Sequence, residues 1–293
     1  MHKAGFVNIV GNPNVGKSTL MNQLVGEKLS IATFKAQTTR HRIMGIVNTD
    51  DAQIVFSDTP GVLKPNYKMQ EMMLQFSESA LADADILLYV TDVVENPEKN
   101  MDFLDKVSKM TIPVILLINK IDESDQKKLG NLVETWHKLL PNAEILPLSA
   151  KNKFGIDILM KRILELLPES PAFFDKDQLT DKPAKFFVSE IIREKILRYY
   201  DKEIPYSVEV VIERFKEDER QIHINAVIYV ERSSQKGIII GHQGMALKKV
   251  STEARKSLER FFDKKIFLET YVKVDKDWRN SQKELNNFGY NPE

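Results

Sequence analysis

The sequence GNPNVGKS at residues 11–18 matches the pattern G-x-x-x-x-G-K-S, which is typical of a phosphate-binding loop. Gly11 and Gly16 permit a tight turn in which successive backbone N–H groups point inward at a polyphosphate. Lys17 supplies a charge for the β- and γ-phosphates, and Ser18 supplies a hydroxyl for Mg²⁺. The stretch therefore predicts a site for a nucleoside polyphosphate and its metal ion.

The surroundings of this loop support the same interpretation. An apolar run at 6–10 predicts a strand before it, and a helical pattern at 19–24 follows it. The phosphates would then lie at the N-terminus of a helix, which favours anions. The residues of the loop that we expect to bind the nucleotide are Asn12, Asn14, Val15, Gly16, Lys17, Ser18 and Thr19.

Composition bounds the class of protein. A chain of 293 residues with 42% hydrophobic and 29% charged residues predicts two ordinary globular domains. The absence of cysteine excludes disulfides and thiolate metal sites, and it fits a reducing compartment. The longest apolar run, 112–118, is too short to span a bilayer, and the N-terminus lacks the pattern of a signal peptide. We therefore expect a cytoplasmic protein.

A second motif, DTPG at 58–61, directly follows a predicted strand. We expect the Asp58 carboxylate to hold Mg²⁺ through water and the Gly61 N–H to contact the γ-phosphate. The polar segment 27–42 carries two adjacent threonines, of which one would complete the metal shell. We predict Ser18, Thr39 and Asp58 as the metal site, with Thr38 as the alternative to Thr39, because spacing alone does not separate them. The predicted catalytic residues are Lys17, Thr39 and Gly61.

A third motif, Asn119-Lys120-x-Asp122, predicts the identity of the base. The Asp122 carboxylate can accept from the N1–H and N2–H₂ groups of guanine, which adenine does not present. Lys120 can lie over the ring, and Asn119 can tie this loop to the phosphate-binding loop. A later SAK stretch, comprising Ser149, Ala150 and Lys151, would line the base, with the Ala150 N–H donating to guanine O6.

The first half alternates between predicted strands and helices. Strands at 43–47 and 53–56 form a hairpin, and continuous apolar runs at 86–90 and 114–118 are typical of strands buried on both faces of a parallel sheet. We predict a doubly wound α/β domain over 1–170, with its ligand at the carboxyl ends of the strands.

These motifs, in this order, resemble the GTPases of the translation-factor superfamily over about 1–168. The resemblance implies that 27–42 is switch I and that GTP, GDP and Mg²⁺ are bound. Val62 departs from the Ras-like pattern, which has a glutamine that orients water at this position. A valine cannot do this, so backbone, a switch residue, a cation or a partner must, and slow turnover is expected.

Asn14 offers one such cation site. It resembles a loop asparagine that holds K⁺ beside the phosphates in related GTPases. The alternative is that Asn14 only forms hydrogen bonds within the loop.

The second half follows a linker at 171–183 and is predicted to form a domain over 184–293. Its order of helix, strand, strand, helix, G-x-x-G loop, helix and strand resembles a KH (type II) RNA-binding domain, a smaller α+β fold. Two glycines let a backbone approach a sugar-phosphate chain closely, beside an apolar groove for bases. The alternative is a small α+β dimerisation domain.

Charge supports the RNA-binding interpretation. Between Lys236 and Lys265, eight basic residues face three acidic ones, and Arg255 and Lys256 are among the basic ones. The middle pair His242-Gln243 departs from KH loops, which more often carry a basic residue there. The predicted RNA-binding residues are Lys236, Ile240, Gly241, His242, Gln243, Gly244, Lys248 and Lys249.

The whole-chain order, with QTTRH at 37–41 in switch I, resembles the Era family of GTPases. This resemblance implies a monomeric, GTP-controlled factor that binds 16S ribosomal RNA near its 3′ end during assembly of the 30S subunit. It also implies peripheral association with the inner face of the cell membrane, although the sequence shows no anchor. Two alternatives are a non-catalytic RNA-binding module and a membrane-associated GTPase of cell-cycle signalling.

Overall fold

A computed structural model describes residues 2–291 of the chain, and their contacts divide them into two units. The first unit comprises 2–66 and 70–181, and the second comprises 67–69 and 182–291. The division after Asp181 falls inside the segment predicted as a linker.

A six-stranded sheet forms the centre of the first unit. Its strands are β1 (Lys3–Gly11), β2 (Ile43–Asn48), β3 (Ala52–Asp58), β4 (Ile86–Asp92), β5 (Val114–Asn119) and β6 (Glu144–Pro147). Their order is β2-β3-β1-β4-β5-β6, and all neighbours are parallel except β2 and β3. Since β4 is buried along its whole length and β5 is buried after its first residue, their continuous apolar runs are explained by packing on both faces.

Helices connect these strands: α1 (Lys17–Val25), α2 (Lys68–Ala82), α3 (Met101–Ser108), α4 (Gln126–Leu139) and α5 (Ile156–Leu166). The predicted doubly wound α/β fold is confirmed. Because β1 lies between β3 and β4, the chain reverses its direction across the sheet at β1. The motifs at 11–18, 58–61 and 119–122 follow β1, β3 and β5, so the carboxyl ends of these strands bring them to one edge of the sheet. A ligand site is expected at such a switch point.

The end of the first unit runs along the edge of this sheet. Thr180 forms an antiparallel bridge with Gly45 of β2. The Ile46 N–H donates to the Leu179 carbonyl at 2.8 Å, and Gln53 accepts from the N–H of Phe173 at 2.7 Å. Much of the segment predicted as a linker thus pairs with β2, which would otherwise expose its backbone hydrogen-bonding groups.

The second unit contains a mixed three-stranded sheet of β7 (Glu209–Glu217), β8 (Gln221–Val230) and β9 (Lys265–Val274), in which β8 is antiparallel to β7 and parallel to β9. Its helices are α6 (Ala184–Tyr199), α7 (Ile204–Ser207), α8 (Ser233–Ile240), α9 (Met245–Phe262) and α10 (Gln282–Asn287). Alternate residues of β8, including Ile222, Ile224 and Ile228, are buried in the core with Val250 and Leu258 of α9. The predicted KH fold is confirmed.

Two features of the second unit differ from the sequence-based prediction. The alternation of apolar and polar residues after position 206 predicts a strand that begins at Ser207. In the structure Ser207 instead ends the helical turn α7. Pro205 favours this turn, because proline is well suited to the first positions of a helix. No pattern predicts an element in the C-terminal segment, yet it contains α10 and buries Trp278 and Tyr290. The Tyr290 hydroxyl donates to Glu209 at 2.7 Å, which fixes this segment to the start of β7.

Within residues 2–291, the helices are all too short or too polar to cross a membrane.

Candidate nucleotide site and nucleic-acid interface

The phosphate-binding loop connects the end of β1 to the start of α1. Gly16 precedes the helix in the left-handed region, with φ 97°. A Cβ atom at this residue would lie 2.2 Å from Nδ2 of Asn119, so glycine is required for both its conformation and its close approach. Asn14 also has a positive φ of 68° and is exposed at the rim of the loop.

The predicted phosphate ligand Lys17 is buried inside this loop. Its Nζ donates to the carbonyl of Gly11 at 3.0 Å and to the carbonyl of Asn12 at 2.8 Å. Burial lowers the pKa of Lys17 to about 8, although the negative charges of Asp58 and Glu95 oppose this shift. The loop therefore holds an ammonium group in a desolvated position, where added phosphate charge would stabilise it.

The three predicted metal ligands lie together at the foot of the loop. Ser18 Oγ is 2.8 Å from Thr39 Oγ1 and donates to Asp58 Oδ2 at 2.8 Å, while Thr39 Oγ1 is 3.4 Å from the same carboxylate oxygen. Burial raises the pKa of Asp58, against the charge of Lys17 and the bonds from these hydroxyls. The other oxygen, Asp58 Oδ1, is buried without a hydrogen-bond partner among the described residues. Mg²⁺ is a hard cation that prefers oxygen ligands. The hydroxyl oxygens of Ser18 and Thr39, beside a buried carboxylate oxygen of Asp58 without a hydrogen-bond partner, fit this preference.

The two adjacent threonines of switch I have different surroundings. The Thr38 hydroxyl lies 2.7 Å from the Thr33 hydroxyl and donates to the Lys35 carbonyl at 2.5 Å. These two contacts lie within the switch segment, whereas Thr39 reaches Ser18 and Asp58. This geometry favours Thr39 as the metal ligand.

The guanine motif lies at the end of β5. Asn119 is buried and donates to the Val15 carbonyl at 2.8 Å, which links it to the phosphate-binding loop as expected. Its Oδ1 accepts from the Ala150 N–H at 3.0 Å, so a bond from that N–H to guanine O6 requires the hydrogen to be shared. Asp122 accepts from the Ser149 hydroxyl at 2.5 Å, which orients its carboxylate.

Lys120 is also fixed by its neighbours. Its Nζ donates to the Asn14 carbonyl at 2.7 Å and lies 2.5 Å from the carboxylate of Asp92, at the end of β4. Asp92 was not among the predicted residues. The signal was present, because an acidic residue ends a buried strand beside β1 and β5, but no motif marks it.

A cavity of about 500 Å³ joins these groups. The predicted residues that line it are Asn14, Gly16, Lys17, Ser18, Thr19, Thr38, Thr39, Gly61, Asn119, Lys120, Asp122 and Lys151. The remaining predicted residues do not line it, namely Asn12, Val15, Asp58, Ser149 and Ala150. They are all buried behind the lining residues. Switch I adds lining residues that no motif predicted, including Ile31, Ala32 and the 94% exposed Phe34.

Val62 does not belong to this lining. Its side chain is buried in the apolar core with Val10, Tyr89 and Phe103, and its N–H donates to the Gly11 carbonyl at 3.0 Å. A buried apolar side chain cannot position a water molecule for attack, so another group must do so.

In the second unit, the G-x-x-G loop connects α8 to α9. Gly241 and Gly244 have φ 70° and 76°, and Gln243 between them has φ 48°. His242 and Gln243 are exposed at the tip, while Ile240 and Lys236 are half-buried on α8. The loop thus presents His242 and Gln243 to solvent at the start of α9.

A groove of about 340 Å³ runs between α9 and β9 from this loop. It is lined by Gly244, Leu247, Lys248, Ser251, Thr252, Arg255, Leu268 and Thr270. The two predicted lysines of α9 point to different places, since Lys248 lines the groove and Lys249 lies over the ring of Tyr199, 4.6 Å from its centroid. The polar residues Ser251, Thr252 and Thr270 were missed because they carry no motif, although the period of α9 places 248, 252 and 255 on one face.

Two family models match the chain in the order expected. The model described as 50S ribosome-binding GTPase matches 6–120, and the model described as KH domain matches 203–279.

Relatives and solved structures match the chain along almost its whole length. It is 44% identical to GTPase Era of Clostridium kluyveri, over 99% of this chain and 100% of that protein, and 45% identical to GTPase Era of Leuconostoc citreum, over 99% and 97%. The crystal structure of Era in complex with MgGDPNP and nucleotides 1506–1542 of 16S ribosomal RNA is 38% identical, with a TM-score of 0.95 over 99% of both chains. That of a variant of Aquifex aeolicus Era bound to GDP·AlF₄⁻ is 38% identical, with a TM-score of 0.94 over 98% of this chain and 99% of that chain. The chain therefore belongs to the Era family of GTPases, which have an N-terminal GTPase domain and a C-terminal KH domain.

Proposed function

We propose that this protein binds and hydrolyses GTP, binds 16S ribosomal RNA near its 3′ end through its KH domain, and acts in assembly of the small (30S) ribosomal subunit. The observation that carries the catalytic part is the convergence of Ser18, Thr39 and Asp58 beside Lys17. The part concerning RNA is carried over from the Era structure that contains MgGDPNP and a 16S ribosomal RNA fragment.

Each residue of the nucleotide site has a defined role in this proposal. Ser18 and Thr39 would hold Mg²⁺ directly, and Asp58 would hold it through water. The metal ion would neutralise charge that develops on the β- and γ-phosphates. Lys17, which bonds the loop carbonyls of Gly11 and Asn12, would supply its charge to the phosphate oxygens, and the Gly61 N–H would contact the γ-phosphate.

Guanine specificity follows from the fixed Asp122 carboxylate. Because Ser149 already donates to one of its oxygens, the carboxylate is held in one orientation, with acceptor capacity left for the base. Lys120 is held by Asp92 and the Asn14 carbonyl and lines the cavity, where its stem could cover the ring. Adenine presents no donors to the same carboxylate, so GTP is selected over ATP.

The water molecule that attacks the γ-phosphate must be positioned by a group other than Val62. Asn14 is exposed at the rim of the phosphate cavity, and switch I residues 31–34 line the same cavity. We propose that the Asn14 side-chain oxygen and switch I carbonyls hold K⁺ beside the phosphates, which would supply the charge that an arginine finger supplies elsewhere.

The RNA contact is assigned to the G-x-x-G loop and the groove between α9 and β9. The loop between Gly241 and Gly244 would admit a sugar-phosphate chain, and Lys248 with Arg255 places positive charge along the groove. Leu247 and Leu268 provide apolar surface for unstacked bases.

We place the protein in the cytoplasm and expect it to be a monomer. Peripheral association with the inner face of the cell membrane rests on the family resemblance alone. Co-sedimentation with liposomes tests this part, with RNA present and absent.

Two measurements test the proposal as a whole. Single-turnover cleavage of GTP with Mg²⁺ should be observed, and a synthetic RNA matching the 3′ end of 16S ribosomal RNA should bind more tightly than a scrambled RNA of equal length. Tight GTP binding without cleavage would favour a non-catalytic RNA-binding module. Liposome binding without RNA binding would favour a membrane-associated signalling GTPase.

A further inference from the structure

Asn100 has an unusual conformation behind the nucleotide site. It precedes α3 at the N-cap position in the left-handed region, with φ 59° and ψ 47°. Asparagine at this position usually accepts a hydrogen bond from the first turn of the helix, but the Asn100 side chain makes no such bond. Instead, its Nδ2 donates to the side-chain Oδ1 of Asn12 at 2.5 Å and to the main-chain carbonyl of Val62 at 3.0 Å.

The contact with Val62 fixes the start of switch II, the segment that follows Asp58. The Val62 N–H donates to the Gly11 carbonyl at 3.0 Å and its carbonyl accepts from Asn100, so both main-chain polar groups of Val62 are held. Gly61 immediately precedes it and packs so closely on the phosphate-binding loop that a Cβ atom would lie 2.7 Å from Cα of Pro13. Gly61 is therefore confined between Pro13 and a following residue whose two main-chain polar groups are both held.

The contact with Asn12 fixes the phosphate-binding loop from behind. The Asn12 carbonyl accepts from Lys17 Nζ at 2.8 Å, and its side-chain oxygen accepts from Asn100. Hydrogen bonds thus connect Lys17 through Asn12 and Asn100 to Val62 at the start of switch II.

We propose that Asn100 is a positioning residue for GTP hydrolysis. By joining Asn12 to Val62, it would keep Lys17 and Gly61, the two groups assigned to the γ-phosphate, in a fixed relative position. Asn100 does not line the cavity, so it acts through these groups and not by contact with GTP. The inference rests on the proposed GTPase function. It concerns a residue that no nucleotide motif contains.

Two variants separate the side chain from the backbone conformation. Asn100→Gly removes the amide and keeps the left-handed conformation accessible, and Asn100→Asp keeps the shape but replaces the donor with an acceptor. We expect kcat for GTP hydrolysis to fall roughly tenfold in both variants, because misplacement of an N–H by a fraction of an ångström weakens its contact with the transition state. The KM for GTP and the dissociation constant for GDP should change less than about twofold, since neither partner is lost from the ground-state site.

Asn96→Asp is the matched control, because Asn96 is an exposed asparagine of the same loop whose side chain accepts from the nearby Glu98 N–H. It should hydrolyse GTP at the wild-type rate. Wild-type kcat in both Asn100 variants would overturn this inference and leave the proposed function unaffected. An equal loss of kcat and of GDP affinity, with a lower melting temperature, would show a structural role and overturn it as well. Wild-type protein that fails to cleave GTP would overturn the proposed function together with this inference.

Discussion

Asn119 donates its side-chain amide to the Val15 carbonyl at 2.8 Å across 104 positions of sequence. The same side chain accepts from the Ala150 N–H at 3.0 Å and is buried. A single residue at the end of β5 thus joins the phosphate-binding motif to the loop at 149–151 that is predicted to line the base. Both ends of a bound nucleotide would be positioned by one group, and the two loops should lose their relative position when it is removed.

Replacing Asn119 tests this relationship. Asn119→Ala leaves the Val15 carbonyl and the Ala150 N–H buried without their partner, at a cost of roughly 1–3 kcal/mol for each group. We expect GDP affinity to fall by about tenfold or more and the melting temperature to drop, measured by titration with a fluorescent GDP analogue and by thermal denaturation. Asn131→Ala, on the exposed surface of α4, should change neither quantity. Unchanged GDP affinity in Asn119→Ala would contradict the assigned role.

The base specificity depends on Asp122. Asp122→Asn should lower affinity for GTP and raise affinity for xanthosine triphosphate, whose C2 oxygen suits an amide donor. We expect the preference between the two nucleotides to reverse, a combined change of at least about a hundredfold, since the wrong base leaves the polar groups that recognise it unpaired. Competition between GDP and XDP measures it. An unchanged preference would mean that the guanine site is elsewhere.

The choice between the two threonines can be tested directly. Thr39→Ala should weaken Mg²⁺-dependent binding of a GTP analogue and reduce hydrolysis by about tenfold or more, because it removes a hydroxyl that faces Ser18 and Asp58. Thr38→Ala removes a hydroxyl that bonds within switch I and should affect both quantities less. Titration with Mg²⁺ at fixed analogue concentration measures the difference. A larger effect in Thr38→Ala would reverse the assignment.

The K⁺ site predicts a dependence on the monovalent salt. GTP hydrolysis should be faster in KCl than in NaCl at equal ionic strength, because a cage of carbonyl oxygens at fixed spacing fits the larger ion. Asn14→Ala should remove the difference while nucleotide affinity is retained. Equal wild-type rates in the two salts at saturating GTP would exclude this use of K⁺ under those conditions, and Asn14 would then act only within the loop.

The RNA groove distinguishes two adjacent lysines. Lys248→Ala should weaken RNA binding by roughly 1 kcal/mol, or about fivefold, and reduce the salt dependence, because Lys248 lines the groove. Lys249→Ala should have a smaller effect, since Lys249 packs over Tyr199. Equal effects would contradict this assignment.

The G-x-x-G loop itself is tested by aspartate. Replacing Gly241 and Gly244 together by Asp should abolish RNA binding and spare basal GTP hydrolysis. Both glycines have a positive φ, which strains any side chain placed there. Gly244→Asp is the milder single variant, since open space surrounds a Cβ at Gly244, whereas a Cβ at Gly241 would also lie 2.6 Å from Cβ of Ala246. Loss of both activities in Gly244→Asp would indicate misfolding or coupling between the domains.

Local sequence was sufficient for the elements and their order. Strand and helix periods, glycine spacing and the four nucleotide motifs are short-range patterns, so the doubly wound domain and the KH domain followed from them. The convergence of Ser18, Asp58 and Asn119 was also predictable, because the carboxyl ends of neighbouring parallel strands share one edge of a sheet.

The tertiary structure decided which individual side chains reach each site, which the local patterns do not specify. Only the path of switch I distinguishes the surroundings of Thr38 from those of Thr39. Only the face of α9 on which each lies distinguishes Lys248, beside β9, from Lys249, over Tyr199. Asn100 gave no signal in the sequence, because its partners are 88 and 38 positions away. A hydrogen bond across such distances depends on where packing places a loop, and no periodic pattern in the chain encodes that position.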